Sequence, residues 1–444
     1  MTDPGAPADA AVIRPARRVG GTLAVPGDKS LSHRALLFSA LAEGPTVLEG
    51  LGTGQDVAST RAAIAALGVT VRQEGPRVHV TGRGLDGLKP PAAALDCQNS
   101  GTTLRTLMGL LAGRPFTTTL IGDASLSTRP MRRVADPLRA MGAQIALSDG
   151  GRPPVVVTGG ALSALRYELP IASAQVKTAL LLAGLQAQPT AALDGTTVVE
   201  PAPTRDHTER MLRAMGADLV VDGPEVCIRP GRLSPLCLGA VYSVPGDLSS
   251  AAFFLVAGAL LADRPLRLAR VGVNPTRTGI LDVLAAAGAE VRQEELSLDP
   301  AGEPVADLWL QRSELRAVDI AGDLTVRAID ELPVLAVLLT QARGRSTIRD
   351  AAELRVKESD RIAATVRMLR DMGATVEERA DGLEIVGPTP LHGATVAAGH
   401  DHRIAMAAAV AGLAAVEGDT HIQGASAASV SFPSFFDTLA SIVD

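Results

Sequence analysis

The feature that most limits the folds open to this chain is an internal repeat. A helix tail, a glycine and then a β-branched stretch recur as IAALGVTV from Ile64, LRAMGAQI from Leu138, LRAMGADL from Leu212, LAAAGAEV from Leu284 and LRDMGATV from Leu369. Glycine just past a helix takes the left-handed conformation without steric cost, so each copy reads as a helix stopped at its C′ position and released into a strand. A second repeat is interleaved with the first. RALLFSALAEGPTVL, RTLMGLLAGRPFTTTL, KTALLLAGLQAQPTAAL, AAFFLVAGALLADRPLRL, ELPVLAVLLTQARGRSTI and RIAMAAAVAGLAAVEGDTHI are six versions of one apolar helix, a break and a strand.

A helix that is apolar all round must be enclosed. The two patterns therefore predict six units of about 70 residues, each with one buried helix, one amphipathic helix and several strands. This is an α/β fold turned inside out, with buried parallel helices surrounded by mixed sheets. Six such units in 444 residues exceed one core. Solenoid repeats usually run to about 20–50 residues, shorter than these, which favours two lobes of three units. LGAVYSVP, Leu238 to Pro245, is the expected crossover, giving one lobe over 26–243 and a second from 1–25 plus 244–444.

Aromatics make up 2% of the chain, so the core must be Ala, Val and Leu, and the stacking platforms of single-strand nucleic-acid binders are missing. A net charge of -6 supplies no basic field for nucleic acid or a membrane surface, so any anion site must be local. Cys97, Cys227 and Cys237 are odd in number and without CxxC spacing, which predicts buried free thiols in a reducing compartment, with no disulfide or metal framework. MTDPGAPADAA is unlike a secretory or transit peptide, and no apolar run reaches the ~20 residues of a membrane span. A cytoplasmic protein is expected, with its first dozen residues frayed.

Polar and charged residues collect at the helix starts. The buried helices begin PGDKSLSHRAL, CQNSGTTLR, ASAQVKTAL, VPGDLSSAAF, RAIDELPVL and HDHRIAMAA; four amphipathic ones begin SLSTRPMRR, PTRDHTERM, NPTRTGI and LRVKESDRI. Free N–H groups and helix dipoles there favour phosphate or carboxylate. Lys29, Arg34, Arg129, Arg205, Lys357, Arg361 and Arg403 add full charges and guanidinium forks. In LRVKESDRI the spacing predicts Lys357, Glu358 and Arg361 on one face at the start of a helix, where cations call for an anion between them.

Each motif alone has a structural explanation. Ser30 would serve as an N-cap, Gly101 as a turn residue, and Asp330 and Glu331 as first-turn acids. Recurrence at the same phase of successive units favours a shared binding surface, with the ligand in a cleft that closes between the lobes. His33, His207, His400 and His402 lack metal spacing such as HExxH, so no metal is expected.

PGDKSLSHRAL, NSGTTLRTL, GDASLSTRPM, PIASAQVKTALLLAGL, PTRDHTERML, VPGDLSSAAFF, NPTRTG, IDELPVLAV, LRVKESDRI and DHRIAMAAAVAGL resemble the signatures of the enolpyruvyl transferases, and within them the 5-enolpyruvylshikimate-3-phosphate synthase family. The likeness runs from Pro26 to Leu413. It implies two lobes of inside-out units, with the N-terminal strand closing the second lobe. The reaction it implies is transfer of the enolpyruvyl group of phosphoenolpyruvate to the 5-hydroxyl of shikimate 3-phosphate, releasing inorganic phosphate through a tetrahedral intermediate, without cofactor or metal and as a monomer.

By motif, Lys29, Ser30, Arg34, Ser173, Ala174, Gln175, Arg205, Asp330 and Lys357 would hold shikimate 3-phosphate. Lys29, Gly101, Arg129, Gln175, Arg361 and Arg403 would surround phosphoenolpyruvate, and a side chain at Gly101 would crowd the inhibitor glyphosate. Asp330 would accept the hydroxyl proton, and Glu358 with Lys29 would handle the methylene proton. Two polyanions must be brought together by cations, an attacking alcohol needs a base, and an enol carbon becomes electrophilic when its neighbour is protonated, so these roles are chemically coherent.

The chain departs from the pattern twice: Ser173-Ala174-Gln175 replaces Ser-Ser-Gln, and Val430 and Ser431 stand where some members carry a Lys. The alternative acceptor is UDP-N-acetylglucosamine, whose transferases have Asn in place of Ser30 and a Cys-bearing loop absent here; the alternative class is a non-catalytic repeat scaffold.

Overall fold

The computed structural model describes residues 9–443. The chain divides into two units. One is Gly27–Val244 with Leu298–Glu303; the other takes the chain up to Pro26, Pro245–Ser297 and everything from Pro304 on. The expected boundary near 244 lies at Val244–Pro245, but the second stretch is not continuous. Leu298–Glu303 belongs with the first unit because Ala301 lies in its core and buried Glu303 bonds buried His207 at 2.8 Å.

In the unit built on Gly27–Val244 the helices are α1 (Lys29–Leu41), α2 (Gln55–Ala66), α3 (Gly101–Leu111), α4 (Arg132–Ala140), α5 (Ala174–Gly184) and α6 (His207–Ala214). Three four-stranded sheets accompany them. Their strand orders are Val241–Ser243, Glu43–Glu49, Arg77–Arg83, Thr70–Glu74; Leu95–Asp96, Thr117–Ile121, Arg152–Thr158, Gln144–Ser148; and Arg166–Glu168, Thr196–Val199, Glu225–Ile228, Leu219–Asp222. Each has one parallel pair followed by two antiparallel pairs. α1, α3 and α5 are buried almost throughout, and α3 lies so close to α5 that a Cβ on Gly109 would stand 2.0 Å from the Ala179 carbonyl oxygen.

The other unit contains α7 (Leu248–Leu261), α8 (Gly279–Ala286), α9 (Asp323–Arg327), α10 (Leu332–Thr340), α11 (Arg361–Asp371), α12 (His402–Leu413) and α13 (Phe435–Ala440). Here α7, α10 and α12 are the enclosed helices and pack on one another. Two four-stranded sheets and a three-stranded sheet, Ala10–Ile13, Thr420–Gln423, Thr395–Ala397, complete it. The first of these strands corrects the expected fraying from residue 10 onward: Ala10–Ile13 pairs in register with Thr420–Gln423, while residues 1–8 lie outside the described part. Of the seven Phe residues, Phe253, Phe254, Phe432, Phe435 and Phe436 stack together with centroids 5.3–6.0 Å apart, fixing α13 on α7.

The glycine repeats end helices as expected. Gly68, Gly142, Gly216, Gly288 and Gly373 all have positive φ, and in each case the glycine N–H and the next N–H bond back to the last helical turn in a Schellman arrangement. After Gly288 the strand begins only at Arg292, later than its counterparts. The opposite ends of the sheets serve the enclosed helices: Gly84, Gly160, Gly231, Arg312, Thr389 and Ala16 donate backbone N–H to Ala42, Ala112, Leu185, Ala262, Thr340 and Leu413, respectively. Carbonyls left free at a buried helix terminus are thereby satisfied.

All three cysteines are free, but only Cys97 is buried; Cys227 and Cys237 are half-buried, which corrects the expectation for those two. Burial raises the Cys97 thiol to about 12 and Cys237 to about 11, so both are unreactive thiols at neutral pH. Among the described residues no helix is long and apolar enough to cross a membrane.

Candidate functional site

The helix starts of each unit meet through their side chains. At α1, Asp28 caps the helix by accepting the Leu31 N–H at 2.8 Å, which leaves Lys29 to reach Asp56 at the start of α2, 2.9 Å away. Ser100 and Ser173 cap α3 and α5 in the same way. Gln175 joins those two starts, accepting from Arg105 at 2.6 Å and donating to Thr102 at 2.8 Å. Ser173 and Ala174 stand beside it, both half-buried.

Arg34 lies deeper than its sequence position suggests. Its guanidinium donates to Thr208, Thr178 and the Ser30 carbonyl at 2.8–3.0 Å, and burial draws it down to about 10. It remains a cation at pH 7 and braces α1 against α5 and α6. Arg205, in the loop before α6, places Nη1 3.5 Å from the Ser30 hydroxyl. Arg129 is buried and donates to Asn99 at 2.7 Å. Gly101 is the first residue of α3 and has no unusual φ, so the turn-residue explanation fails. Its value is space: a Cβ there would stand 2.8 Å from an Arg105 nitrogen and 3.3 Å from an Arg129 nitrogen.

His33 is fully buried and its Nδ1 bonds Thr60 at 2.7 Å; desolvation, then Lys29 and Arg34, hold it well below its usual range, so it is neutral. Asp206, His207 and Glu303 put potential ligand atoms within 4.8 Å of one another. Arg210 already bonds Asp206 at 2.8 Å, so the group carries its own cation.

In the other unit, LRVKESDRI differs from expectation. A short 3-10 turn, Ala352–Val356, is followed by an extended break, and Asp360 caps α11 by accepting the Ala363 N–H at 3.1 Å. Lys357 and Glu358 thus precede the helix and do not share a helical face with Arg361. The reason is the cap: an Asp three residues before Ala363 competes successfully for that N–H and sets the start. Arg361 is 2% exposed and already has protein counter-ions. Its guanidinium bonds Asp401 at 2.9 Å and Glu358 at 2.5 Å, with Asp330 at 3.6 Å. Asp330 stands on the turn before α10 and also lies 3.8 Å from Lys357.

Asp401, missed from the sequence, caps α12 through the Arg403 N–H and accepts from Ser359 as well as Arg361. Burial alone would raise it, but Arg361 and His402 carry it below the usual carboxylate range. Arg403 is the contrasting case. It is 6% exposed, its carboxylate neighbour is Glu331 at 3.7 Å, and among the described residues its Nε and Nη1 are buried without a hydrogen-bond partner. Glu331 in turn accepts from Ser249, whose hydroxyl also accepts from Arg277 at 2.6 Å. Asp56, Arg105, Arg277 and Asp401, which motif reading passed over, make hydrogen bonds at these same helix starts.

The described residues thus bring together two sets: Lys29, Ser30, Arg34, Gly101, Arg129, Ser173, Ala174, Gln175 and Arg205 in one unit, and Asp330, Lys357, Glu358, Arg361 and Arg403 in the other. The first set is cationic and hydroxylic and suits a phosphorylated polyol. The second joins two carboxyls to buried guanidinium groups, as acid–base chemistry on an anionic substrate requires.

A family model described as EPSP synthase (3-phosphoshikimate 1-carboxyvinyltransferase) matches residues 13–439. The 3-phosphoshikimate 1-carboxyvinyltransferase of Gloeobacter violaceus is 52% identical over 434 residues, covering 97% of this chain and 98% of its own. That of Bacillus cytotoxicus is 47% identical over 436 residues, covering 97% and 99%. Among solved structures, EPSP synthase from Acinetobacter baumannii superposes with a TM-score of 0.86 at 41% identity over 98% of both chains. The enolpyruvyl transferase NikO of Streptomyces tendae, at 20% identity and a TM-score of 0.77 over 99% of this chain and 98% of its own, shares the fold.

Proposed function

The chain belongs to the EPSP synthase (3-phosphoshikimate 1-carboxyvinyltransferase) family, and from that premise we propose which of its residues carry the transfer of an enolpyruvyl group from phosphoenolpyruvate to shikimate 3-phosphate. The reaction forms an enol ether at the 5-hydroxyl and releases inorganic phosphate through a tetrahedral intermediate, a step of the shikimate pathway to aromatic amino acids.

Asp330 is the base that accepts the 5-hydroxyl proton as that oxygen attacks C2 of phosphoenolpyruvate. Glu358, with Lys29, delivers a proton to the methylene carbon and later removes one as phosphate leaves, which regenerates the double bond, and the proton held by Asp330 passes to the departing phosphate. Ser30, Arg34, Ser173, Ala174, Gln175, Arg205 and Lys357 hold shikimate 3-phosphate, Arg34 chiefly by bracing the α1 start. Lys29, Gly101, Arg129, Gln175, Arg361 and Arg403 surround phosphoenolpyruvate. A single chain supplies every group in this scheme, which fits a monomer working in the cytoplasm.

The observation that carries the phosphoenolpyruvate assignment is Arg403. A guanidinium with two buried nitrogens that make no hydrogen bond is costly to keep unless an anion is to fill it. Arg361, by contrast, already bonds Asp401 and Glu358 and lies 3.6 Å from Asp330, so it adds its charge beside phosphoenolpyruvate while holding those carboxyls in place. Phosphate release from phosphoenolpyruvate, measured with shikimate 3-phosphate and with UDP-N-acetylglucosamine as acceptors, tests the reading. Release with the first acceptor alone is expected; release with the second alone, or with neither, overturns it.

A further inference from the structure

We propose that Lys177 is a positioning residue for the shikimate 3-phosphate site, fixing through Glu200 and Thr204 the loop that presents Arg205. The proposal rests on the assignment of Arg205 to that substrate. Lys177 lies in α5, one turn past its cap, with no exposed surface. Its ammonium bonds Glu200 at 2.7 Å and Glu209 of α6 at 2.5 Å.

Glu200 is where the strand Thr196–Val199 ends, and its backbone N–H is tied to the Pro224 carbonyl at 2.9 Å. One carboxylate oxygen takes Lys177; the other accepts the hydroxyl of Thr204 in a short hydrogen bond. The intervening residues are Pro201, Ala202 and Pro203. Two prolines remove two backbone donors, so this segment has little means of fixing itself by main-chain bonds. The Glu200–Thr204 link therefore sets where the chain turns into Arg205, whose Nη1 reaches Ser30.

Stability does not explain this arrangement. A buried ion pair gains little over apolar residues of the same size, because both charges lose their water. Here one ammonium faces two carboxyls, and Glu209 keeps a buried Oε2 with no hydrogen-bond partner. What the pair provides is a fixed direction for Glu200, the only one of the three groups that grips the Arg205 loop.

The test is steady-state kinetics of Thr204→Val, Thr204→Ser, Lys177→Met and Arg205→Ala, together with melting temperatures. Thr204→Val removes the link without disturbing the buried charges. It should raise KM for shikimate 3-phosphate about fivefold, the equivalent of one hydrogen bond. KM for phosphoenolpyruvate and kcat should stay unchanged, the melting temperature should fall slightly as Glu200 loses a donor, and Thr204→Ser should restore both wild-type KM and melting temperature. Lys177→Met should give the same KM pattern wherever it folds, and Thr204→Val decides the matter if it does not. If Arg205→Ala raises that KM while Thr204→Val leaves it unchanged, the positioning role is overturned alone. If Arg205→Ala has no effect, the Arg205 assignment fails and the proposal with it.

Discussion

Arg361 and Asp401 form a buried ion pair across 40 residues of sequence, with Nε and Oδ2 2.9 Å apart and both side chains almost completely enclosed. The same carboxylate caps α12, so one acid both neutralises the buried Arg361 guanidinium and holds the helix start that presents Arg403. Asp401→Asn keeps an acceptor for the cap but leaves Arg361 short of a counter-ion. Removing one partner of a buried pair costs about 3–5 kcal/mol, and urea denaturation should read a loss of that size; a loss below about 1 kcal/mol would show that Glu358 and Asp330 suffice.

The pH dependence of this pair has a definite sign. Asp401 is held below its ordinary value of 3.8, so its contribution to stability is complete above that value and is lost as pH falls through its folded-state value. Wild type should therefore lose more stability than Asp401→Asn between pH 4 and the acid-unfolding region. Parallel acid profiles for the two proteins would contradict this.

Asp330→Asn should cut kcat by about 10²–10⁴-fold, the span typical of a general base, while calorimetry finds shikimate 3-phosphate binding within a fewfold of wild type. Asp330 lies 3.6 Å from Arg361 and 3.8 Å from Lys357, and an amide has the same shape as the carboxylate it replaces. Near-normal turnover would remove it as the base.

Gly101→Ala should raise KM for phosphoenolpyruvate and lower sensitivity to glyphosate, with KM for shikimate 3-phosphate little changed. The added methyl meets the ends of Arg105 and Arg129, which are flexible and can yield, so the variant should fold normally. Equal glyphosate inhibition of the two proteins would count against placing phosphoenolpyruvate beside Arg129.

Glu209 is raised above its ordinary value of 4.5 by desolvation, so it weakens the folded state progressively as pH climbs above that value. The melting temperature of Glu209→Gln, relative to wild type, should accordingly improve from pH 4 to pH 7. A difference that is constant or that shrinks over this range would mean the Lys177 ammonium keeps Glu209 ionised throughout.

The sequence made visible what is locally encoded. Glycine after a helix and an all-apolar helix are patterns within about 15 residues, and they marked where Gly68, Gly142, Gly216, Gly288 and Gly373 would stop helices and which helices would be enclosed. The cations of the candidate site were legible for the same reason, being crowded at helix starts. Their counter-ions were not. Asp401 answers Arg361 and Asp56 answers Lys29 from 40 and 27 residues away, and only the packed units show that those cations already have partners. A buried cation demands an anion or a full set of acceptors, as Arg361 and Arg34 respectively show; the sequence alone did not say which residues would supply them. The helical face assigned to Lys357 failed locally, because Asp360 was a capping residue in plain view three positions before Ala363.

The pairing of Ala10–Ile13 with Thr420–Gln423 has a consequence for how the protein is made. Asp9 and Ser426, hydrogen-bonded at the end of that ladder, are 417 positions apart. At ~5–20 residues per second a ribosome needs roughly 20–80 s to bring the second partner into being after the first. For all that time Ala10–Ile13 waits for its edge, so this ladder closes only after Thr420–Gln423 has been made. A chain that stopped before Thr420 would leave Ala10–Ile13 without its partner.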